Sequence, residues 1–285
     1  MSDYTLRRFQ PGDEPALCEI WKAGFSDPDD YIHAFFARFL KPDSCIVAEA
    51  DGRAVSAMYL LDGPTLWPYR KNHLSSAYAY ALATLPAYRG RGIGQAVYQA
   101  VCALGLERGF DAVCVLPAEE GLYPFYEAGG GARVISAVRE VEYTADELRG
   151  APRSMCARTT VEEYSNIREM LLSPEAHGAM PEDFYRWQEE QFDRFGGGFF
   201  VLGGGCAAVE MDGGVCRVRE LLLPEGDEKA AAAGLAAFNR AERYIVRAPA
   251  FWPGPGETKR HMLATLRTAP DFFLPDDLWW GFSFD

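Results

Sequence analysis

The sequence has no apolar run long enough to cross a membrane, which takes about 18 or more consecutive apolar residues. Its first residues, Met1 to Tyr4, soon turn polar and lack the basic start and apolar stretch that are typical of a secretory signal. We therefore expect a cytoplasmic protein with no membrane partner.

Clustered metal ligands are also missing. The chain has 7 cysteines and 4 histidines, but they are widely spaced and no Cys-x-x-Cys pair occurs. A zinc site needs cysteine and histidine residues close together. The sequence therefore predicts no metal, and we interpret the cysteines as small buried thiols.

Basic residues are scarce relative to acidic ones. Lysine and arginine total 28 against 41 aspartates and glutamates, which gives a formal net charge of -13. Binding to phosphate backbones needs concentrated positive charge, so nucleic acid is disfavoured as a partner. An acidic surface instead favours a cationic partner such as an amine.

The first half of the chain alternates strand and helix patterns, which predicts a mixed α/β sheet flanked by helices. Asp51-Gly52 is typical of a two-residue hairpin turn, and Pro86 ends an apolar strand. The predicted strands cover residues 4–9, 44–50, 54–61, 76–85, 110–116 and 134–143. The predicted helices include residues 16–21, 31–40, 92–108 and 120–128.

The second half repeats this order of patterns after a candidate linker at residues 149–152. Its predicted helices cover residues 161–172, 181–195 and 227–240, and its predicted strands cover 199–202, 206–211, 215–223 and 244–247. We therefore expect one domain over residues 1–148 and a second, duplicated α/β domain over residues 153–285. The aromatic tail at 278–285 is apolar enough to dock rather than trail.

The strongest functional signal is the segment from Leu82 to Gln95, which reads LATLPAYRGRGIGQ. A strand ends at a proline, and two arginines and three glycines lead into an amphipathic helix. Glycines let successive backbone N–H groups turn toward one point. The first turn of the helix adds unpaired N–H groups and the positive end of the helix dipole. With the charges of Arg89 and Arg91, the pattern predicts a cradle for a pyrophosphate.

Other glycine-rich phosphate motifs fit this segment less well. A dinucleotide fold needs glycine at the position of Gln95, and its motif normally opens a domain. A nucleoside-triphosphate loop needs Gly-Lys-Ser/Thr, which the segment lacks. A basic surface loop and a nucleotide-binding regulator are the alternatives.

The run RGRGIG at residues 89–94 resembles the signature Arg/Gln-x-x-Gly-x-Gly/Ala of the GNAT (Gcn5-related N-acetyltransferase) superfamily. The resemblance extends over about residues 3–145 in element order. It implies acetyl-CoA as the acyl donor. The residues whose backbone would pair with the pantetheine arm are Leu82, Ala83 and Thr84. The residues that would hold the pyrophosphate are Arg89, Gly90, Arg91, Gly92, Ile93 and Gly94, with Gln95.

A second segment, LYPFYEAGG at residues 122–130, is similar to another GNAT landmark. The resemblance implies that Tyr126 lies near the cofactor sulfur and acts as general acid. Tyr123 is the less favoured alternative, and an aromatic core role is the other reading of Tyr126. Gly131 stands where the family usually has phenylalanine, which bears on the packing of the following strand.

The second half does not keep the glycine motif. After Pro224 it reads EGDEK, and these acidic groups would satisfy a helix N-terminus and repel a pyrophosphate. We therefore expect a degenerate GNAT-like domain that lacks the cofactor motif. The resemblance to two-domain GNAT enzymes leaves a sterol-carrier-like domain as the alternative.

The resemblance implies an N-acetyltransferase in which a primary amine of a small molecule or peptide attacks the thioester directly. A backbone N–H of the strand that ends at Leu85 would stabilise the oxyanion. The candidates for the general base are Glu49, His73, Glu119 and the terminal carboxylate of Asp285. The aromatic stretches 31–39 and 67–80 either line the acceptor pocket or belong to the core. A non-catalytic acyl-CoA-binding sensor or assembly module is the alternative function, and a homodimer is compatible with the sequence.

Overall fold

The structure is a computed structural model that describes residues 3–68, 73–266 and 274–284. Its helices are α1 (Glu14–Gly24), α2 (Asp29–Phe39), α3 (Ile93–Glu107), α4 (Tyr123–Gly130), α5 (Ala145–Arg149), α6 (Val161–Leu172), α7 (Glu182–Phe195) and α8 (Glu228–Leu235). Its strands are β1 (Thr5–Arg8), β2 (Cys45–Ala50), β3 (Arg53–Asp62), β4 (Thr65–Trp67), β5 (Ser76–Thr84), β6 (Ala112–Val115), β7 (Arg133–Val134), β8 (Ala137–Thr144), β9 (Cys156–Arg158), β10 (His177–Ala179), β11 (Gly198–Leu202), β12 (Gly205–Asp212), β13 (Val215–Leu222), β14 (Arg243–Pro249), β15 (Glu257–Arg260) and β16 (Leu263–Leu266).

The first of two compact units takes residues 1–64, 74–133 and 262–272. Among the described residues its strands form a seven-stranded sheet in the order β1-β2-β3-β5-β6-β16-β7. The neighbours β1–β2, β2–β3 and β3–β5 pair antiparallel, and β5 pairs with β6 in parallel. The turn between β2 and β3 has φ 52° at Asp51 and 75° at Gly52, in agreement with the predicted hairpin.

The second unit takes residues 65–73, 134–261 and 273–285. Its described strands form a seven-stranded sheet in the order β15-β8-β14-β13-β12-β11-β9 and a two-stranded ribbon of β10 with β4. Here too an antiparallel run leads to one parallel pair, β13 with β14. The predicted fold class, a mixed sheet flanked by helices with a second α/β domain that repeats the first, is confirmed.

The chain passes between the units more than once, which differs from the single boundary predicted between residues 148 and 153. The sequence places the strand at 134–143 in the first domain, but β8 pairs with β14 and β15 of the second unit. The equivalent place in the first sheet, beside β6, is taken by β16. Pairing between strands that lie far apart in sequence leaves no periodic signal, so the sequence could not place either strand.

The helix predicted over residues 227–240 is shorter, because α8 ends at Leu235. The side-chain amide of Asn239 donates a hydrogen bond to the carbonyl of Gly196 (2.8 Å), and the carbonyl of Asn239 accepts one from the hydroxyl of Tyr244 (3.1 Å). These bonds fix the position of Asn239 in the turn that follows the helix. No helix in the described part of the chain is long and apolar enough to cross a bilayer.

The tail at residues 278–284 packs into the core of the second unit. Leu278, Trp279, Trp280 and Phe282 are at most 1% exposed. The ring of Phe284 stacks on that of Phe184 with 4.4 Å between the centroids. The tail therefore docks, as its apolar composition predicts, whereas Asp285 and its carboxylate lie outside the described residues.

Candidate active site

The parallel strands β5 and β6 separate at one end of the first sheet. Their pairing runs from Ser76–Ala112 to Ala79–Val115, where β6 ends, while β5 continues to Thr84. Ala81 has a φ of 52°, and the pairing of β5 with β3 shifts register at this point. Such a bulge bends a strand and re-aims its residues. Residues 80–84 therefore have one edge that β6 does not cover, which we name the open edge.

The direction of the peptide groups along β5 follows from one hydrogen bond. The N–H of Leu85 donates to the carbonyl of Val55 on β3 (2.9 Å). Because the peptide groups of successive residues alternate along a strand, Ala83 also faces β3, and Leu82 and Thr84 face the open edge. Of the three residues predicted to pair with pantetheine, the structure thus places two at the opening and directs the third to the sheet.

The glycine-rich loop, residues 86–92, follows β5 directly. It starts with a 3-10 turn at Pro86–Tyr88, and Gly90 and Gly92 have φ of 74° and 76°. An L-residue rarely adopts this left-handed conformation, which explains the two glycines. Gly92 is the N-cap of α3, and its carbonyl accepts the N–H of Ala96 (3.1 Å).

The first turn of α3 therefore leaves backbone donors without an intrahelical partner. These are the N–H groups of Ile93, Gly94 and Gln95, and no side chain caps the helix. The dipole of the 15-residue helix places partial positive charge at the same point. A Cβ atom at Gly94 would lie 3.4 Å from Oγ1 of Thr84, so the helix start packs closely against β5. Unpaired amides beside an open strand edge make a site for an anion.

The two arginines of the loop are held by backbone carbonyls. Arg89 donates from Nε to the carbonyl of Thr84 (2.9 Å) and from Nη2 to that of Ala23 (2.7 Å). Arg91 donates to the carbonyl of Ala87 (3.0 Å) and lies over the ring of Tyr88 at 5.1 Å. Their charges stay at the loop, but the guanidinium groups also fix its shape.

Tyr126 lies on α4, which packs against α3. Tyr126 is 6% exposed, and its ring contacts that of Tyr98 edge-on with 4.9 Å between the centroids. Burial raises the pKa of Tyr126 to about 12, so the phenol is protonated at neutral pH. A group in this state can donate a proton but cannot act as a base. Tyr123, the alternative, is 3% exposed on the same helix.

The candidates for the general base lie in different surroundings. Glu49 on β2 forms an ion pair with Nε of Arg7 (2.8 Å). Glu119 is exposed before the 3-10 turn at Glu120–Leu122. His73 belongs to the second unit, where its ring lies 5.1 Å from that of Trp67. In the described part of the chain, no hydrogen bond joins any of these three side chains to Tyr126 or to the glycine-rich loop.

An aromatic cluster that the sequence did not resolve lies between β5 and the first two helices. Trp21 is its centre, with ring centroids 6.3 Å from Tyr31, 4.9 Å from Phe35, 5.2 Å from Tyr59 and 5.8 Å from Tyr80. Part of the aromatic stretch 31–39 therefore packs with β5.

Within the described residues, no group of three or more His, Cys, Asp or Glu side chains could hold a metal ion.

The equivalent position in the second unit is closed by its own side chains. The carboxylate of Asp227 accepts the N–H of Ala230 at the start of α8 (3.1 Å). Glu228, the next residue, is buried and forms an ion pair with Arg139. The helix start that corresponds to α3 thus carries internal negative charge in place of open amides.

The comparisons with known proteins agree with this geometry. Residues 14–130 match the model of the Acetyltransferase (GNAT) family, and this segment carries β5, the glycine-rich loop and α3. No curated protein matches the sequence. Residues 14–130 thus carry a GNAT domain by their match to the family model, and the second unit repeats the sheet topology of the first.

Solved structures are similar in fold over nearly the whole chain. One is a GCN5-related N-acetyltransferase from Kribbella flavida, with 15% identity, TM-score 0.68 and coverage of 93% of this chain and 71% of that chain. Another, from Anabaena variabilis, has 13% identity, TM-score 0.64 and coverage of 91% and 72%. Eis1 from Mycobacterium abscessus has 14% identity, TM-score 0.63 and coverage of 92% and 73%. At these identities the likeness concerns the fold.

Proposed function

We propose that the first unit binds acetyl-CoA and transfers its acetyl group to a primary amine of a small molecule or peptide. The observation that carries this proposal is the meeting of two sets of unpaired backbone groups. One set is the N–H groups of Ile93, Gly94 and Gln95 at the start of α3. The other is at the open edge of β5, where it consists of the backbone groups of Leu82 and the N–H of Thr84, because the carbonyl of Thr84 already accepts from Arg89.

These two sets suit the two halves of coenzyme A. The amides and the helix dipole at the start of α3 favour a pyrophosphate. The pantetheine arm contains amides that can pair with the open edge as an added strand would. The close packing of Gly94 on Thr84 keeps the two sets adjacent.

When acetyl-CoA is bound, its thioester supplies an activated acyl group. The acceptor nitrogen forms a bond to the carbonyl carbon, and the bond from that carbon to sulfur breaks. A backbone N–H at the open edge would stabilise the negative charge on the carbonyl oxygen. Tyr126 donates its phenolic proton to the leaving sulfur and regains a proton from solvent, while the proton of the amine passes to solvent or a base.

The test uses the full chain and two matched glycine variants. Gly92→Glu puts a carboxylate at the N-terminus of α3, where it competes with a pyrophosphate. Gly109→Glu makes the same change just beyond the other end of α3, at a glycine that also has positive φ (90°) and open space around its Cβ position. We expect calorimetry to show acetyl-CoA binding that Gly92→Glu abolishes and Gly109→Glu retains.

Turnover separates an enzyme from a sensor. Wild-type protein is mixed with acetyl-CoA and a panel of primary amines, and free CoA thiol is measured. Amine-dependent thiol release supports the transferase. Tight acetyl-CoA binding without release for any amine would replace it with the acyl-CoA sensor, and stronger competition by ADP than by CoA would favour a nucleotide regulator.

A further inference from the structure

The end of β5 is connected to the α1–α2 corner by the side chain of Tyr80. This residue precedes Ala81, where the strand bends away from β6. Its ring packs against Trp21, and its hydroxyl lies 3.2 Å from that of Tyr31. Tyr31 and Tyr80 are both half-buried.

Asp27 lies beside these aromatic side chains, next to Trp21. Its Oδ2 accepts a hydrogen bond from Nε1 of Trp21 (2.8 Å), and the residue is half-buried. The negative charge of Asp27 reaches the phenol of Tyr80, whose pKa is raised chiefly by burial, then by Tyr31 and Tyr78, and also by this carboxylate. Asp27 and Tyr80 therefore both contact the side chain of Trp21, Asp27 through the indole N–H and Tyr80 through its ring.

The carboxylate of Asp27 lacks a charged partner within the described part of the chain. Among the residues that the structure describes, Asp27 has no ion pair, whereas the neighbouring Asp29 is paired with Lys22. The indole that donates to Asp27 is neutral and supplies no positive charge of its own. It is therefore ready to receive a positive charge from outside the chain. Aromatic faces beside it add cation–π attraction and an apolar surface.

We propose that the acceptor carries two amines, one that reacts at the open edge of β5 and a second, cationic one that binds Asp27. The methylene chain between them would lie along Tyr80 and Tyr31, which gives an extended aliphatic diamine as the substrate class. An acceptor with a carboxylate in the second position is disfavoured, because Asp27 repels it. This inference rests on the proposed acetyl transfer in the first unit.

The experiment compares hexamethylenediamine with hexylamine, which has the same chain and a single amine. The measured quantity is the ratio of kcat/KM for the diamine to kcat/KM for the monoamine. Asp27→Asn keeps an oxygen for the indole of Trp21 and removes the charge. Asp29→Asn is the matched control, since it removes the same charge two residues away from a carboxylate that Lys22 already pairs with.

We expect wild-type protein and Asp29→Asn to favour the diamine, and we expect Asp27→Asn to lower the ratio by about tenfold, which corresponds to about 1.4 kcal/mol. A wild-type ratio near one overturns the proposal. A ratio that Asp27→Asn leaves unchanged overturns it as well, even if both rates fall together.

Direct binding separates failure of this inference from failure of the transfer reaction. Hexamethylenediamine is titrated by calorimetry into the protein saturated with CoA. If no amine is acetylated but the diamine binds and Asp27→Asn weakens it about tenfold, the cation site stands and the transfer proposal falls. Absence of diamine binding to the wild-type protein overturns the cation site whether or not monoamines are acetylated.

Discussion

The guanidinium group of Arg89 donates a hydrogen bond from Nε to the backbone carbonyl of Thr84 at 2.9 Å. The first residue of the RGRGIG motif thereby closes the glycine-rich loop onto the strand before it. Its second bond, from Nη2 to the carbonyl of Ala23, ties the same loop to the end of α1. The charge that a sequence pattern assigns to phosphate binding thus also shapes the backbone around it.

Replacing Arg89 with Met should weaken acetyl-CoA binding about tenfold. Hydrogen bonds from a charged donor contribute about 1.5–3 kcal/mol each, and exposure to solvent reduces that value. Arg91→Met is the control, because it removes the same charge but breaks only a bond within the loop. Calorimetry should show a clearly larger loss for Arg89→Met. Equal losses would mean that charge alone matters and that closure of the loop does not.

Tyr126→Phe should lower kcat about a hundredfold and leave the affinity for acetyl-CoA unchanged. The hydroxyl of Tyr126 has no hydrogen-bond partner among the described residues, so its removal should also leave Tm unchanged. Because burial raises the pKa of Tyr126 to about 12, kcat should show no loss from ionisation of this group at pH 7 to 10. Steady-state kinetics over that pH range check both points.

Tyr123→Phe serves as the comparison for that experiment. It removes a hydroxyl from the same helix, and its kcat should stay close to that of the wild type. A hundredfold loss in Tyr123→Phe with normal turnover in Tyr126→Phe would exchange the two roles. Normal turnover in both would leave protonation of the sulfur to solvent.

Local patterns made much of the fold predictable. The helix predicted over residues 161–172 has those bounds in α6, because its apolar residues recur at helical spacing and Thr160 accepts the N–H of Glu163 as an N-cap (3.2 Å). The bend after β5 was predictable because Pro86 ends the strand and the glycines that follow are the residues a left-handed turn requires. In each case the determining residues lie within a few positions of one another.

Features built from distant residues were not predictable. β8 pairs with β14 in the second sheet, and β16 pairs with β6 in the first. In both cases the two paired strands are about a hundred residues or more apart in sequence. The strands β9 and β15 span 3 and 4 residues, and every residue of β15 is exposed, so neither shows a usable alternation. Asp27 follows a serine in a loop, and only its bond to Trp21 and its lack of an ion pair among the described residues distinguish it from a surface aspartate.

Glu220→Gln should destabilise the second unit by about 3–5 kcal/mol, as is usual when a buried ion pair loses one charge. Glu220 on β13 and Arg168 on α6 are both fully buried, with Nε 3.0 Å from Oε2. The indole of Trp279 and the hydroxyl of Tyr164 also donate to this carboxylate. The side chain of Gln replaces one acceptor oxygen with an NH2 group, which faces neighbours that are themselves donors. The lost hydrogen bonds therefore cannot be replaced locally.

Urea unfolding measures that loss, and Glu142→Gln is its control. Glu142 forms an exposed ion pair with Arg243 at 2.6 Å, and such pairs contribute less than about 1 kcal/mol. A cost for Glu220→Gln no larger than for Glu142→Gln would show that the cluster around Glu220 is hydrated. Docking of the tail through Trp279 would then need another explanation.

The link between β1 and the start of α1 should be sensitive to acid. Asp13 accepts hydrogen bonds from Nη1 and Nη2 of Arg7 at 2.7 and 2.8 Å and from the N–H of Gln10 at 2.8 Å. The bond from Arg7 is the main cause that holds the pKa of Asp13 below its ordinary value, against the opposing effect of burial. A carboxyl whose folded pKa is depressed adds stability above its unfolded pKa of about 4 and loses it as pH falls through the folded value.

Asp13→Asn should therefore cost about 1–2 kcal/mol of unfolding free energy at pH 7, and the difference from the wild type should shrink below pH about 4. Urea unfolding at a series of pH values, followed by tryptophan fluorescence, gives both numbers. Glu19→Gln breaks the exposed pair with Arg53 and should cost less than about 0.5 kcal/mol. A difference for Asp13→Asn that stays constant from pH 7 to pH 3 would mean that the carboxylate acts through its shape alone and that its charge adds nothing to folding.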